Sequence, residues 1–230
     1  KSGFNMLAPF WADVDTRGDS ATSGGTVSYK LTPHALYVNW TDVGYFNMHV
    51  DKVDRIQLII SDGTDPAIPG GNNVSFCYGA VQWTTGDASQ GVNGFGGTPA
   101  TVGANRGDGI NYLQLGRFDH AGTDWDGPFG NTDGVAWLND RHFSFSTSSA
   151  DIPPIFTSIG CDTLEITAGT SMDYPMMMIA GAPGQTVTGS SICSGIAGYS
   201  ETSNSSGDPA QILSNIAPTE AETGMHTIIY

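Results

Sequence analysis

Apolar residues recur at every second position through most of this chain, and clusters of turn-forming residues separate the runs. No other feature constrains the fold as strongly. In "HALYVNWTDVGY", Leu36, Val38 and Trp40 alternate with Tyr37 and Asn39; in "VDRIQLIISDG", Ile56, Leu58 and Ile60 alternate with Gln57 and Ile59. A period of two puts alternate side chains on one face of an extended chain, so it predicts half-buried strands. "GTVSYKLTP", "NVSFCYGAVQWTTGD", "INYLQLGRF" and "GVAWLNDRHFSFST" read the same way. Between them lie Gly, Asp, Asn and Pro clusters such as "DGTDPAIPGGNN". No segment sustains the helical period. Composition agrees: 19 of the 23 acidic residues are Asp, which favours turns, and 31 Gly and 12 Pro accompany them.

The 230 residues suit one large domain or two ordinary ones. Pro153 and Pro154 in "SADIPPIFTS" cannot donate to a ladder and favour an extended linker. A boundary is therefore expected near Ala150. Beyond it "DTLEITAGTS", "DYPMMMIAGAPGQTVTGSSI" and "GMHTIIY" read as strands, and "DPAQILSNIAP" as a short helical turn. The stretch Gly91 to Gly109 reads as a long glycine-rich loop. The expected fold is all-β, with one β-sandwich domain over residues 1–150 and a second, Ig-like in size, over 151–230.

Acids outnumber bases 23 to 8, for a net charge of −15. That excludes nucleic acid as a partner, because phosphates need Lys and Arg, and it disfavours an anionic membrane surface. No segment reaches the length of a transmembrane helix, and no membrane insertion is expected. The balance suits an extracellular protein and divalent cations. "KSGFNMLAPFW" has no apolar h-region, so an exported form is expected to be a processed piece. Of three cysteines, Cys161 and Cys193 are provisionally paired as a disulfide, leaving Cys77 as a thiol in an alternating strand.

Calcium is the candidate cofactor, because hard cations take several oxygens from Asp and Asn. The richest candidate is "GTDWDGPFGNTDG", with Asp124, Asp126, Asn131 and Asp133 over ten residues. Asp13, Asp15 and Asp19 in "ADVDTRGDSATSGG" form a second. The competing reading for both is a turn whose carboxylates cap backbone amides. The Arg17-Gly18-Asp19 triplet, repeated at Arg106-Gly107-Asp108, is a weak adhesion handle in a chain this rich in Gly and Asp. Catalytic spacings are missing: the five histidines form no H-x-x-x-H or H-E-x-x-H, and there is no G-x-S-x-G elbow. The chain is expected not to be an enzyme. Most tryptophans read as core; Trp125, flanked by aspartates, is the candidate glycan platform. Asn39, Asn73 and Asn204 fit the N-glycosylation triplet, and Ser20 in "DSA" and Thr163 in "DTL" fit an O-glycan acceptor pattern.

"APFWADVDTR", "DRIQLIISDG" and "FCYGAVQWTTGDAS", continued by "ATVGANRGDG" and "GVAWLNDRHFSF", resemble the nidogen-like (NIDO) domain over roughly residues 4 to 147. "VGYFNMHVDK" and "DGPFGNTDG" are similar to NIDO modules of large secreted surface proteins of Bacteroidota-type bacteria, in which Ig-like repeats follow. The resemblance implies a secreted, non-enzymatic module of matrix or adhesion proteins. NIDO modules usually carry strands ahead of the "APFW" motif, and "GMHTIIY" stops within an apolar strand. An incomplete sandwich with an open flank is therefore expected. The flank is filled by flanking sequence of the same molecule, by a fragment that stays bound after proteolysis, or by a copy of itself, and the partner expected here is the copy, joined by strand addition into a filament. The competing reading is an adhesin module that binds glycans or surface proteins.

Overall fold

The computed structural model describes residues 3–19, 21–68, 71–147, 153–157 and 164–229. Its N-terminal unit contains β1 (Met6–Trp11), β2 (Val14–Asp15), β3 (Thr26–Leu31), β4 (Ala35–Tyr45), β5 (His49–Ser61), β6 (Val74–Tyr78), β7 (Ala100–Asn105), β8 (Tyr112–His120), β9 (Asp133–Gly134) and β10 (His142–Phe145). The C-terminal unit contains β11 (Ile155–Phe156), β12 (Met172–Ile179), β13 (Ile192–Ser194), β14 (Ser200–Ser205), β15 (Ala210–Ile216) and β16 (Thr227–Ile229). Helical structure is confined, among the described residues, to three 3-10 turns of three or four residues. The all-β expectation is met.

In the N-terminal unit one sheet runs β1-β7-β8-β9, and a wider one runs β10-β6-β5-β4, with β2 and β3 both pairing with β4. All pairs are antiparallel except β8 with β9. The alternating residues of the wide sheet point at the narrow one. Ile56, Leu58, Val74, Phe76 and Tyr78 meet Val102, Leu113, Leu115 and Phe118, and Trp137, Phe143 and Phe145 close the core. Tyr78 ties the layers by donating from Oη to the Pro9 carbonyl at 2.6 Å. The long β4–β5 ribbon bends at a bulge, where the pair Trp40–Ile56 is followed by Val43–Asp54. Gly25 is required beside it: its φ is +79°, and a Cβ there would lie 2.1 Å from the Asp42 carbonyl oxygen.

The C-terminal unit has a four-stranded antiparallel sheet, β11-β12-β15-β14, and the pair β13–β16. An apolar groove of about 450 Å³ lies here, lined by Tyr174, Met176, Ile196, Ile216 and Ile228 among others. Ile155 and Ile179 are fully buried in the core of the N-terminal unit, so the two units share apolar packing. Arg141 fastens the joint. Its guanidinium lies 4.2 Å from the Trp137 ring centre and donates to the carbonyls of Trp137 and Thr157. Burial lowers its pKa from the usual arginine value.

Four local expectations are corrected. "DPAQILSNIAP" forms strand β15: Ala210, Ile212, Ser214 and Ile216 are all buried at period two, and neighbours pair on both sides. Strand β7 lies inside the glycine-rich stretch; its small residues are buried mid-sheet, where no polar alternation marks them. "GVAWL" opens with a 3-10 turn, which lets Val135, Trp137 and Leu138 all reach the core. Leu164–Thr170 takes no strand.

Candidate functional site

The aspartate-rich opening is an internally satisfied turn. Asp15 is buried and receives the Arg17 backbone amide at 3.0 Å, the Met48 amide at 3.1 Å, and Arg17 Nε and Nη2 at 2.9 and 2.6 Å. The hydrogen bond from Arg17 is the main reason its pKa falls far below the carboxylate range. Asp13 accepts from the Ser89 amide and hydroxyl at 2.9 and 2.6 Å. Asp19 accepts from the amides of Ala21 and Thr22. Both charged side chains of the Arg17-Gly18-Asp19 triplet are thus engaged at home. Asp108 of the second triplet likewise caps Ile110 and Asn111.

The loop from Gly122 to Gly134 is held the same way. Asp133 is fully buried between the amides of Arg117 (2.8 Å) and Asp126 (2.9 Å). Burial, reinforced by the neighbouring Asp126, pushes its pKa up to about 7. Asp126 accepts from the amides of Asn131 and Thr132. Asp124 is drawn to His120 Nε2 at 3.0 Å, while His120 Nδ1 meets Asp119 at 2.6 Å. The two carboxylates raise the His120 pKa, Asp119 most. Among the described residues, no group of three or more His, Cys, Asp or Glu side chains is disposed to hold a metal ion.

Trp125 stacks on Trp137 with ring centres 4.5 Å apart and donates from Nε1 to the Leu115 carbonyl at 2.9 Å, so it supports the core. The three N-glycosylation candidates have engaged amides. Asn39 accepts from Gln57, Asn73 is bonded to Thr147, and Asn204 donates to Gly189 and Glu201. Ser20, Thr163 and Cys161 lie outside the described residues. Cys193 sits on β13 opposite Ile228 and forms no disulfide among the described residues.

The most distinctive surface comes from the register of the wide sheet. Three apolar rows cross its inner face: Val27–Trp40–Ile56–Tyr78, Tyr29–Val38–Leu58–Phe76–Phe143, and Leu31–Leu36–Ile60–Val74–Phe145. Each row begins deep in the core and ends in solvent. In the middle row, Phe76 is 0% exposed, Leu58 8%, and Tyr29 77%. Leu31 is 74% exposed and Val27 49%. The cause is a mismatch of width. Strand β1, the margin of the narrow sheet, lies over β5. The inner face of β3 therefore extends past its cover, while that of β4 is half covered, with Val38 and Trp40 packed against the core. Among the described residues no strand pairs with the outer edge of β3 or of β1. The expected open flank named no residues on β3, because alternation in "TVSYKL" identifies an apolar face without saying what covers it.

Fold and surface describe an all-β sandwich module whose bare apolar face stands out above any polar cleft. A family model for the nidogen-like domain matches residues 30–123, from the end of β3 to the turn after β8. Nidogen-like domains are typically extracellular, and the match suggests an adhesion-type module. It does not extend to the C-terminal unit, whose Ig-like character stays an expectation. No curated protein and no solved structure matches the chain. No helix among the described residues is long and apolar enough to cross a membrane.

Proposed function

We propose that this chain is a structural, non-catalytic building block of an extracellular adhesive or filamentous assembly, and that its copies associate through sheet margins. One observation carries the reading: Val27, Tyr29 and Leu31, three large apolar residues on the inner face of an edge strand, stand exposed beside a backbone edge that no strand pairs with among the described residues. Such an edge in water is a template for another strand, and soluble proteins normally blunt it with charge, Pro or a covering loop. Here the only charge on β3, Lys30, lies on the opposite face. The nidogen-like match supports the extracellular setting. The engaged carboxylates of the aspartate-rich loops support staples over reagents.

The test is the state of association. Light scattering on a sizing column, from low micromolar upward, is expected to show growth in mass with concentration, and electron microscopy to show ordered particles or fibres. A monomer at every concentration would remove the reading.

A further inference from the structure

We propose that Asp54 is a proton-operated latch: while its carboxyl keeps a proton, residues 80–85 are pinned to β5, and when the proton leaves, that segment lifts as a unit and lets water reach the carboxylate. The latch is independent of how copies of the chain associate. It sits where the chain leaves the wide sheet. Just beyond β6 the backbone still pairs with β5: Gly79 donates to the Arg55 carbonyl and Arg55 to the Ala80 carbonyl, both at 2.9 Å. Residues 80–85 themselves take no strand, and the amides of Gln82 and Trp83 need another acceptor. Asp54 supplies it, with Oδ1 receiving Gln82 at 2.7 Å and Trp83 at 3.3 Å. Three contacts complete the hold. The Val53 amide donates to Gln82 Oε1 at 3.1 Å, Trp83 Nε1 to the Val43 carbonyl at 3.0 Å, and the Val81 amide to Asn139 Oδ1 at 2.8 Å.

The geometry fits a neutral acid. One oxygen takes both amides, as a carbonyl does, while Oδ2 has no partner and the residue is 0% exposed. A carboxylate spreads its charge over both oxygens, so part of that charge would rest on an atom with no donor in an apolar core. Burial accordingly raises the pKa well above the carboxylate range, and the two amides offset it only in part. No neighbouring charge compensates. Strand β1 and residues 80–85 have no titratable side chain. On β4 and β5, Asp42 pairs with Arg55, Lys52 with Asp51 and His49 with Asp87, and Tyr45 Oη donates to Asp51. Tyr78 on β6 donates to the Pro9 carbonyl. Beside Asn139, Arg141 is committed to the carbonyls of Trp137 and Thr157, and Asp140 is exposed.

Once ionised, the carboxyl needs water, and its two flanks differ in what must move to admit it. On one side β4 is held to β5 by a long antiparallel ladder. On the other, residues 80–85 are held by the few contacts above. Local opening takes such weakly held stretches before the whole fold gives way. Lifting the segment uncovers Trp83, which is 0% exposed and packs on Phe10 and Tyr45. It also frees the far side of the loop, because the amides of Thr84 and Thr85 both donate to the Gly94 carbonyl. The direction is fixed. Below about pH 3.9 the carboxyl is protonated whether the segment is closed or open, and opening is independent of pH. Above that, opening releases one proton, so the open fraction grows about 10-fold per pH unit until the closed form ionises. The latch is shut on the acid side and loosens on the alkaline side.

Hydrogen exchange of the full 230-residue chain, read by mass spectrometry from about pH 5 to 8, tests the latch, with each rate divided by that of an unstructured amide at the same pH. Peptides covering residues 80–85 are expected to open at least about 10-fold more often than those of β8, and their opening constant to rise about 10-fold per pH unit. In Asp54→Asn, which cannot ionise, the same peptides are expected to show an opening constant that does not change with pH. A segment that opens only together with β8 overturns the latch. So does an opening constant that is flat in the wild type, or that still rises in Asp54→Asn. Should the variant fail to fold, wild-type protein carrying ¹³C in its aspartate carboxyls decides alongside the wild-type exchange. The Asp54 resonance is expected at the position of a protonated acid at about pH 5, where an unfolded Asp is ionised, and a carboxylate position there overturns the latch.

Discussion

Asp54 offers the sharpest test of how the N-terminal core is balanced. Its side chain points inward from β5, fully buried beside Trp83 and Val43. One carboxyl oxygen accepts from the amides of Gln82 (2.7 Å) and Trp83 (3.3 Å), and Oδ2 has no partner. Burial raises its pKa well above the carboxylate range, against the lowering effect of the two amides. The sign follows. Below about pH 3.9, the ordinary pKa of an unfolded Asp, both states are protonated and the group is neutral for stability. As pH rises above that value the unfolded chain loses the proton and the folded one keeps it. Stability then falls by about 1.4 kcal/mol per pH unit until the folded carboxyl ionises. Asp54→Asn retains an acceptor for the two amides and cannot ionise. Its NH₂ puts two buried N–H donors where the protonated carboxyl holds one unpartnered O–H, at a pH-independent cost of up to about 1–3 kcal/mol. The variant is therefore expected to be less stable than wild type near pH 4, to gain on it by about 1.4 kcal/mol per unit, and to overtake it within two or three units. Asp133, pushed up to about 7, acts with the same sign in both proteins and cancels in the difference. Urea titrations followed by tryptophan fluorescence at half-unit steps from pH 4 to 8 give the comparison, with buried Trp83 as the local probe. A difference between the two proteins that stays flat across this range would refute the reasoning and show that Asp54 is charged in the fold.

Two further outcomes are expected. Arg141→Met keeps the stacking volume and strands the carbonyls of Trp137 and Thr157, so it should cost about 2–3 kcal/mol in chemical denaturation and loosen the joint seen by small-angle scattering. Because amides and His120 occupy the carboxylates of the Gly122–Gly134 loop, EDTA is expected to leave the melting temperature unchanged; a rise of several degrees on adding millimolar Ca²⁺ would restore the cation reading.

What could be read in the sequence depended on whether one strand's side chains were enough to reveal it. The β4 and β5 alternation is local and strong, and both strands appear where it lies. Strand β7 is buried through small residues, so "ATVGAN" within a glycine-rich run looked like loop. Strand β15 shows the reverse error. Its Gln211, Ser214 and Asn215 blurred the pattern that pairing on both sides makes plain. The aspartates were visible as a cluster, yet their use was not. Whether Asp133 meets a cation or two amides depends on the path of Arg117 and Asp126, which composition does not encode. The shelf lay further out of reach, since it depends on the relative widths of two sheets.

The joint at Arg141 has a mechanical meaning for any assembly built from this chain. Ile155 and Ile179 sit in the first core and a guanidinium bridges carbonyls on either side, so packing and hydrogen bonds join the two units in addition to the chain itself. Tension applied to the second unit is therefore expected to load this joint in the sandwich itself. A string of such pieces would behave as stiff links, and would part first at the seams between molecules.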